Sequence, residues 1–377
     1  GGNVTINTGS TLNYGGGMFG INFNNGASLK NGGFINYHLS VQRQASINRQ
    51  DPIDVDAEIS SWTNQSGPNA ASDAAQVRKF LSAYPDGFNK NGTPDNTSAK
   101  FLINTEIPLT DNTTFYANAA YVFRKSRSYA NYRQPYWRLD RGLLHKPDPF
   151  GIDYTTSAAN YDTSVPNFLT EVTAEKAAGV YKGYLGYQPT FEGDLNDYNG
   201  TVGLRTKNSN GWNTDMSLTV GGNKMLFTVD QTVNRSLGRN SPISFKPGGF
   251  NFNHMVGNID VSKNITEKLF IGLGVEARSE NWQLIAGDTA SYSGQGANSF
   301  FGYLPDNAIN ANRLIVGAYF DLSYDITDNW MVGGTYRAEH YTDFGDANVY
   351  KLLSRFKIGE VVTLRASYST GFRAPTL

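Results

Sequence analysis

The stretch Arg313-Leu314-Ile315-Val316-Gly317-Ala318-Tyr319-Phe320-Asp321-Leu322-Ser323-Tyr324-Asp325 decides the fold. Leu314, Val316, Ala318, Phe320, Leu322 and Tyr324 share one parity, and Gly317, Asp321, Ser323 and Asp325 share the other. After the polar turn Thr327-Asp328-Asn329 the pattern resumes, with Trp330, Val332, Gly334, Tyr336 and Ala338 set against Thr335, Arg337 and Glu339. It resumes again with Val362, Leu364, Ala366 and Tyr368 against Thr363, Arg365 and Ser367. A period of two is that of a strand with one apolar and one polar face. Runs of about ten such residues are what a tilted strand needs to cross a bilayer.

Outward from this stretch the unit repeats. Phe19, Ile21 and Phe23 alternate with Gly20, Asn22 and Asn24; Ile35, Tyr37, Leu39 and Val41 alternate with Asn36, His38, Ser40 and Gln42. Phe101, Ile103 and Ile107 precede the turn Asp111-Asn112, and Phe115, Ala117, Ala119, Tyr121 and Phe123 follow it. Val202 and Leu204, then Met216, Leu218 and Val220, flank the turn at 208–211. The parity slips near Gly221-Gly222, where a bulge is expected before Met225, Phe227 and Val229. Met255, Ile259 and Val261, and then Leu269, Ile271, Leu273, Val275 and Ala277, complete about thirteen strands. Gly15-Gly16-Gly17 reads as the first turn, and Asn31-Gly32 as a hairpin turn. Val77, Phe80, Leu81 and Tyr84 before Pro85 predict a short helix in the 49–96 connection; one or two more are expected around 167–184.

Turns near 30, 111, 209, 266, 327 and 358 are short, whereas the connections 49–96, 134–197, 235–249 and 287–311 are long. Short turns on one rim and long loops on the other are the layout of an all-β, antiparallel up-and-down transmembrane barrel. Composition agrees. Among 377 residues 39% are hydrophobic and 13% aromatic, and the mean hydropathy is only −0.43, as expected where half of each strand is wet. The net charge of −1 gives no case for nucleic acid. There is no cysteine, which excludes disulfides and thiol chemistry. Gly1 opens inside a strand-like run and the chain stops at Pro375-Thr376-Leu377, so it reads as an excerpt of a longer protein.

The segment Tyr368-Ser369-Thr370-Gly371-Phe372-Arg373-Ala374-Pro375-Thr376-Leu377 resembles the S-x-G-F-[RK]-A-P segment of TonB-dependent outer-membrane receptors. The hairpin Trp330–Gly345 before it, and Ser241-Pro242-Ile243-Ser244-Phe245 ahead of Gly248-Gly249-Phe250, are similar to that family as well. The resemblance implies a 22-strand barrel filled by an N-terminal plug, set in the bacterial outer membrane. Such a receptor imports a scarce ligand, such as a ferric siderophore, cobalamin or an oligosaccharide. It is driven by the TonB complex of the inner membrane through an N-terminal TonB box. On this reading residues 1–377 are a partial barrel domain, with the plug and the last strands absent from the chain. Lipid, lipopolysaccharide, a small ligand and the TonB complex are the implied partners.

Glu276, Arg278, Arg337, Glu339 and Arg365 fall on the polar parity and are expected to line the lumen and hold the plug. Gly371, Phe372, Arg373, Ala374 and Pro375 form the family motif. There Arg373 either ties the wall to a carboxylate or belongs to a structural turn, and Pro375 favours the turn. Tyr132, Tyr136, Trp137, Arg138 and His145 cluster in a long loop, where aromatics beside arginine suit ligand contact and equally suit loop packing. Asp51, Asp54, Asp56 and Glu58 lack the glycine and spacing of a calcium loop, and the histidines are scattered. Gly15-Gly16-Gly17-Met18-Phe19-Gly20 spells G-x-G-x-x-G but leads into a strand. No catalytic group, cofactor or metal site is therefore expected, and an energised receptor outranks a passive porin-like channel or a barrel enzyme.

Overall fold

The computed structural model describes residues 1–68, 70–134 and 186–377. Thirteen antiparallel strands form one sheet in strict sequence order. They are β1 (Asn3–Thr11), β2 (Gly15–Ser28), β3 (Phe34–Gln44), β4 (Asp95–Thr110), β5 (Thr113–Tyr129), β6 (Thr190–Lys207) and β7 (Asn213–Asp230). β8 (Ser244–Asn264), β9 (Leu269–Ile285), β10 (Ile309–Thr327), β11 (Trp330–Tyr341), β12 (Gly345–Ile358) and β13 (Val362–Ser369) follow. Among the described residues the α-helices are short and lie in connections: α1 (Val55–Trp62), α2 (Ala70–Ala83) and α3 (Thr289–Tyr292). No helix among the described residues is long and apolar enough to cross a membrane, which says nothing of strands.

The alternation read from sequence is the alternation of the two faces. Leu273 is 39% exposed, Val316 52% and Leu364 56%, all on one face, while Arg313 and Ile315 on the other are 5% and 2% exposed. β8, of 21 residues, and its neighbours exceed the roughly ten needed to span a bilayer, so they continue past the apolar belt. A polar ladder marks where the belt ends on the loop side. There the Tyr121 hydroxyl donates to Asn196, that of Tyr198 to Asn253 and that of Tyr336 to Asn348, at 2.6–2.8 Å. Tyr198 reaches Asn253 by lying across Gly222, where a Cβ would stand 2.7 Å from its ring. Beyond the ladder the same face carries Lys125, Glu192 and Asp194 as ion pairs. An amphipathic tyrosine followed by charge is what an interface between hydrocarbon and water selects.

Three expectations are corrected. The first turn is Leu12–Tyr14, and Gly15 already pairs with Thr11; Gly15 and Gly16 give the reversal its positive φ, at 77° and 76°. The register runs without interruption through Gly221 and Gly222, so no bulge lies there. It lies instead in β8, where the pairing jumps from Phe227↔Gly248 to Val229↔Phe245 and Gly248 takes φ 101°. With no slip in β7, Met225, Phe227 and Val229 share the face of Asp215 and Ser217, the polar one. Apolar residues sit there because the loop-side end of that face is covered by loops rather than by water: Val229, Val233 and Phe245 are at most 1% exposed.

The helical expectation at Val77–Tyr84 is met by α2, whose Val77, Phe80 and Leu81 are buried. α1 went unread. Asp54 caps it, its Oδ1 accepting from the amides of Asp56 and Ala57 at 2.9 Å. Asp56 pairs with Arg78 at 2.8 Å, so two of the four acids weighed for calcium serve the helices instead. The helices expected around 167–184 lie outside the described residues.

Candidate functional site: the charged wall and the loop mouth

Period two places Glu276, Arg278 and Glu280 on one face of β9, and Arg337, Glu339 and Tyr341 on one face of β11. Register then brings them together across β10, since Gly317 pairs with both Glu276 and Glu339. Arg278 reaches Glu276 at 2.6 Å and Glu280 at 3.6 Å. Arg337 reaches Glu339 at 2.6 Å and Glu276 at 3.3 Å, and the Tyr341 hydroxyl donates to Glu339 at 2.7 Å. Arg313, not selected from the sequence, completes the series. Its guanidinium donates to both carboxylate oxygens of Asp343 at 2.7–3.0 Å and lies 3.6 Å from Glu280. Arg313 shares the parity of Gly317 and Asp321, but only the β9–β10 register sets it opposite Glu280.

Four of the five wall residues expected from sequence thus share one network, and Arg365 stands apart. Arg365 pairs in register with Arg355, which is held by Asp325 at 3.5 Å toward the short-turn end. The terminal motif closes the other end. Phe372 packs on Tyr341 and Phe344 at ring-centroid separations of 5.8 and 5.2 Å, and Ala374 packs on the cluster of Ile315, Tyr341 and Ala347. Between this segment and the network lies a cavity of about 740 Å³, with exposed Arg373 at its edge.

Asp343 sits in the β11–β12 turn, where its hydrogen bonds from Arg313 hold the carboxyl below the ordinary range. A depressed carboxylate stabilises the fold above its unfolded pKa and loses that contribution as pH falls through the folded one. The expected result is that acid loosens this turn, detected as faster proteolysis at 342–344 as pH drops below the usual carboxylate range. Asp343→Asn should abolish the pH dependence while leaving the turn cleavable at a constant rate.

The loop mouth is packed as firmly as the wall. Asn234, fully buried, donates to the carbonyls of Ala290 and Ser293 at 2.8 and 2.7 Å, tying the 231–243 connection to the 286–308 connection. Arg133 joins them through Asn298 and Ser299 at 2.9 and 2.6 Å. Phe300 rests on Phe191 and Phe227, and Phe250 stacks on Trp282 at 5.6 Å, forming an aromatic patch on the inner face. Counting β7 without a slip is the signal that reveals it. Of the loop residues expected to meet ligand, Tyr132 is 4% exposed and packs on Phe88 at 5.4 Å. Tyr136, Trp137, Arg138 and His145 lie outside the described residues. Among the described residues no group of histidine and carboxylate side chains is disposed to hold a metal.

A meander of long strands, apolar outside and charged inside, with ordered loops at one rim, is a stretch of wall from an up-and-down membrane barrel. Residues 136–377 match the family described as TonB dependent receptor-like, beta-barrel, and the chain belongs to that family. No curated relative matches the sequence. The fold is similar to that of a mutant of the ferric enterobactin receptor PfeA from Pseudomonas aeruginosa, at 12% identity and a TM-score of 0.52. That alignment covers 99% of this chain and 44% of the receptor. The siderophore receptor PirA of Pseudomonas aeruginosa aligns at 10% identity and a TM-score of 0.51, covering 100% of this chain and 44% of that one. PirA of Acinetobacter baumannii aligns at 13% identity and 0.50, covering 99% and 43%. At these identities the likeness is one of fold, and the chain spans less than half the length of those receptors.

Proposed function

We propose that this chain forms the first part of the barrel of an outer-membrane receptor that imports a scarce ligand by TonB-dependent transport. The observation that carries this reading is the match of residues 136–377 to the receptor family, joined to a sheet whose charged face is built as a lumen wall. In the whole receptor Glu276, Arg278, Arg337, Glu339 and Arg365 face the plug. The plug's N-terminal segment engages the TonB complex, and the apolar belt meets lipid and lipopolysaccharide. The solved neighbours are siderophore receptors, which favours a ligand of that kind, with cobalamin or an oligosaccharide as the other family classes.

A passive porin-like channel would share the strands, and energy dependence separates the two readings. In cells carrying the full-length receptor, uptake of its ligand is expected to fall to the receptor-null level when TonB is deleted or a proton uncoupler is added. Uptake that persists under both treatments, and scales with external concentration, would establish the channel.

A further inference from the structure

The lumen wall has two sectors of different chemistry. On β9–β11 its charges are spent on one another, through Glu276, Arg278, Arg337 and Glu339. On β3–β5 the same face carries mostly amides and hydroxyls, with two cations, Lys100 and Arg124, that form no ion pair among the described residues. We propose that this second sector is the route by which an anionic ligand passes between the wall and the plug. The inference rests on the receptor reading above and gives that receptor a path.

Two hollows lie in file along these strands. β3 leaves its short turn at Phe34 and reaches the loops after Gln44, which orders them from rim to rim. Toward the loops a hollow of about 360 Å³ is lined by Gln42, Gln44, Ser98, Lys100 and Arg124. Toward the turns a second, of about 420 Å³, is lined by Asn24, Asn36, His38, Asn104 and Asn118. Between Asn118 and Arg124 the inward residues of β5 are Ala120 and Val122, whose small side chains recess the wall from one hollow to the next. Register sets Asn36 opposite Asn104 and Asn104 opposite Asn118, an amide row across three strands. These three amides are exposed and make no side-chain hydrogen bond to another described residue, so they offer donors and acceptors alike.

A passing solute must be held well enough to enter and loosely enough to leave. The amide row meets that need, because water replaces a hydrogen bond there without leaving a charge uncompensated. On β9–β11 a solute would have to part charges already paired, and each broken pair leaves a charge without its partner. Lys100 and Arg124 select the sign of the solute. Ser98 pairs with Arg124 and Lys100 with Val122, so the two cations are diagonal neighbours on one face. Arg124 donates to the amide oxygen of Asn96 at 3.2 Å, a neutral partner. Asp197, the carboxylate of the same hollow, is engaged by the amide of Asn223 on the next strand. Glu106, nearer the turns, lies 3.8 Å from Arg205. A ligand descending from the loops therefore meets two cations against one carboxylate, a field that admits an anion and disfavours a cation.

Cysteine is absent from residues 1–377, so a single introduced cysteine can report on one wall position of the full-length receptor, with any cysteine elsewhere replaced. Ser98→Cys and Asn104→Cys probe the route, and Asn258→Cys, on the inner face of β8 opposite Glu276, is the control. Whole cells are treated from outside with an anionic (sulfonatoethyl) or a cationic (trimethylammonioethyl) methanethiosulfonate, each rate being divided by that with a free thiol in solution. Labelling at 98 and 104 is expected to be several-fold faster in cells with TonB than in cells without it, and labelling at 258 to be the same in both. At 98 the anionic reagent should outpace the cationic one by roughly tenfold, the order expected for unit charges a few ångströms away on a partly hydrated wall. Lys100→Gln with Arg124→Gln should erase that preference, and Lys100→Arg should keep it. The inference is overturned if TonB changes labelling at 258 but not at 98 and 104, or if the preference survives loss of both cations. It is also overturned if the double substitution opens a leak to the reagents without TonB, since the cations would then be holding a plug carboxylate. Ligand uptake that ignores TonB would overturn the receptor reading. Uptake that needs TonB, with labelling at 98 and 104 that does not, would overturn this inference alone.

Discussion

Leu273→Arg should destabilise the inserted barrel by about 2–4 kcal/mol, the cost of a cation at the bilayer midplane on the lipid side of a strand. Leu273 sits on the apolar parity of β9, in register with Val261 of β8 and Phe320 of β10, and is 39% exposed with no loop over it. It is central in the outward run Leu269, Ile271, Leu273, Val275 and Ala277. The paired control is Asn258→Arg on the inner face, where Asn258 stands opposite Glu276 and beside Asp260. A wet wall with two carboxylates near the new guanidinium should accept it at close to no cost. Urea titration of the full-length receptor folded into lipid vesicles measures both. The central geometric claim fails if the inner substitution proves the worse of the two.

The same asymmetry explains what the sequence disclosed and what it withheld. Where one face meets lipid and the other water, hydropathy alone dictates the parity, and Leu314–Tyr324 could be read without coordinates. The faces of Glu276, Arg278, Arg337 and Glu339 were legible for that reason. Their union was not, because alternation says which way a side chain points and nothing about which residue of the next strand lies opposite. Arg313 and Asp343 join the network through register and a turn, neither of which leaves a hydropathy signature. Reading failed outright where a third environment intruded. At the loop-side end of β7 both faces are dry or half-dry, so Phe227 and Val229 look outward-facing although they pack under loops. The first half of β6 was missed for the converse reason. Glu192 and Asp194 stand on the outward parity beyond the belt, so charge appears where an apolar run was sought. α1 carried a readable signal in Asp54 ahead of Val55, with Asp56 and Glu58 in the first turn, that was weighed as a metal-loop pattern instead.

Gly248→Ala is the second large effect expected. Gly248 has φ 101°, a region an L-residue enters at a cost of about 1–3 kcal/mol, and the added Cβ would stand 2.1 Å from the carbonyl oxygen of Ile285. That obstacle is backbone at the end of β9 and cannot swing aside as a side chain can. The residue is also where β8 gains its extra length over β7, so relief by straightening the strand would shift Phe245 out of its buried position. Val229 and Val233 share that packing, and the 286–308 connection is fastened to it through Asn234. The loss should therefore spread from one residue to the whole loop mouth. Gly221→Ala is the control, since its Cβ would meet the ring of His254 at 2.7 Å, a side chain that can rotate away. Heat-modifiability on gels, which separates folded from unfolded barrel, should show a large unfolded fraction for Gly248→Ala and little change for Gly221→Ala. Equal behaviour of the two would mean that the bend in β8 does not depend on the left-handed glycine.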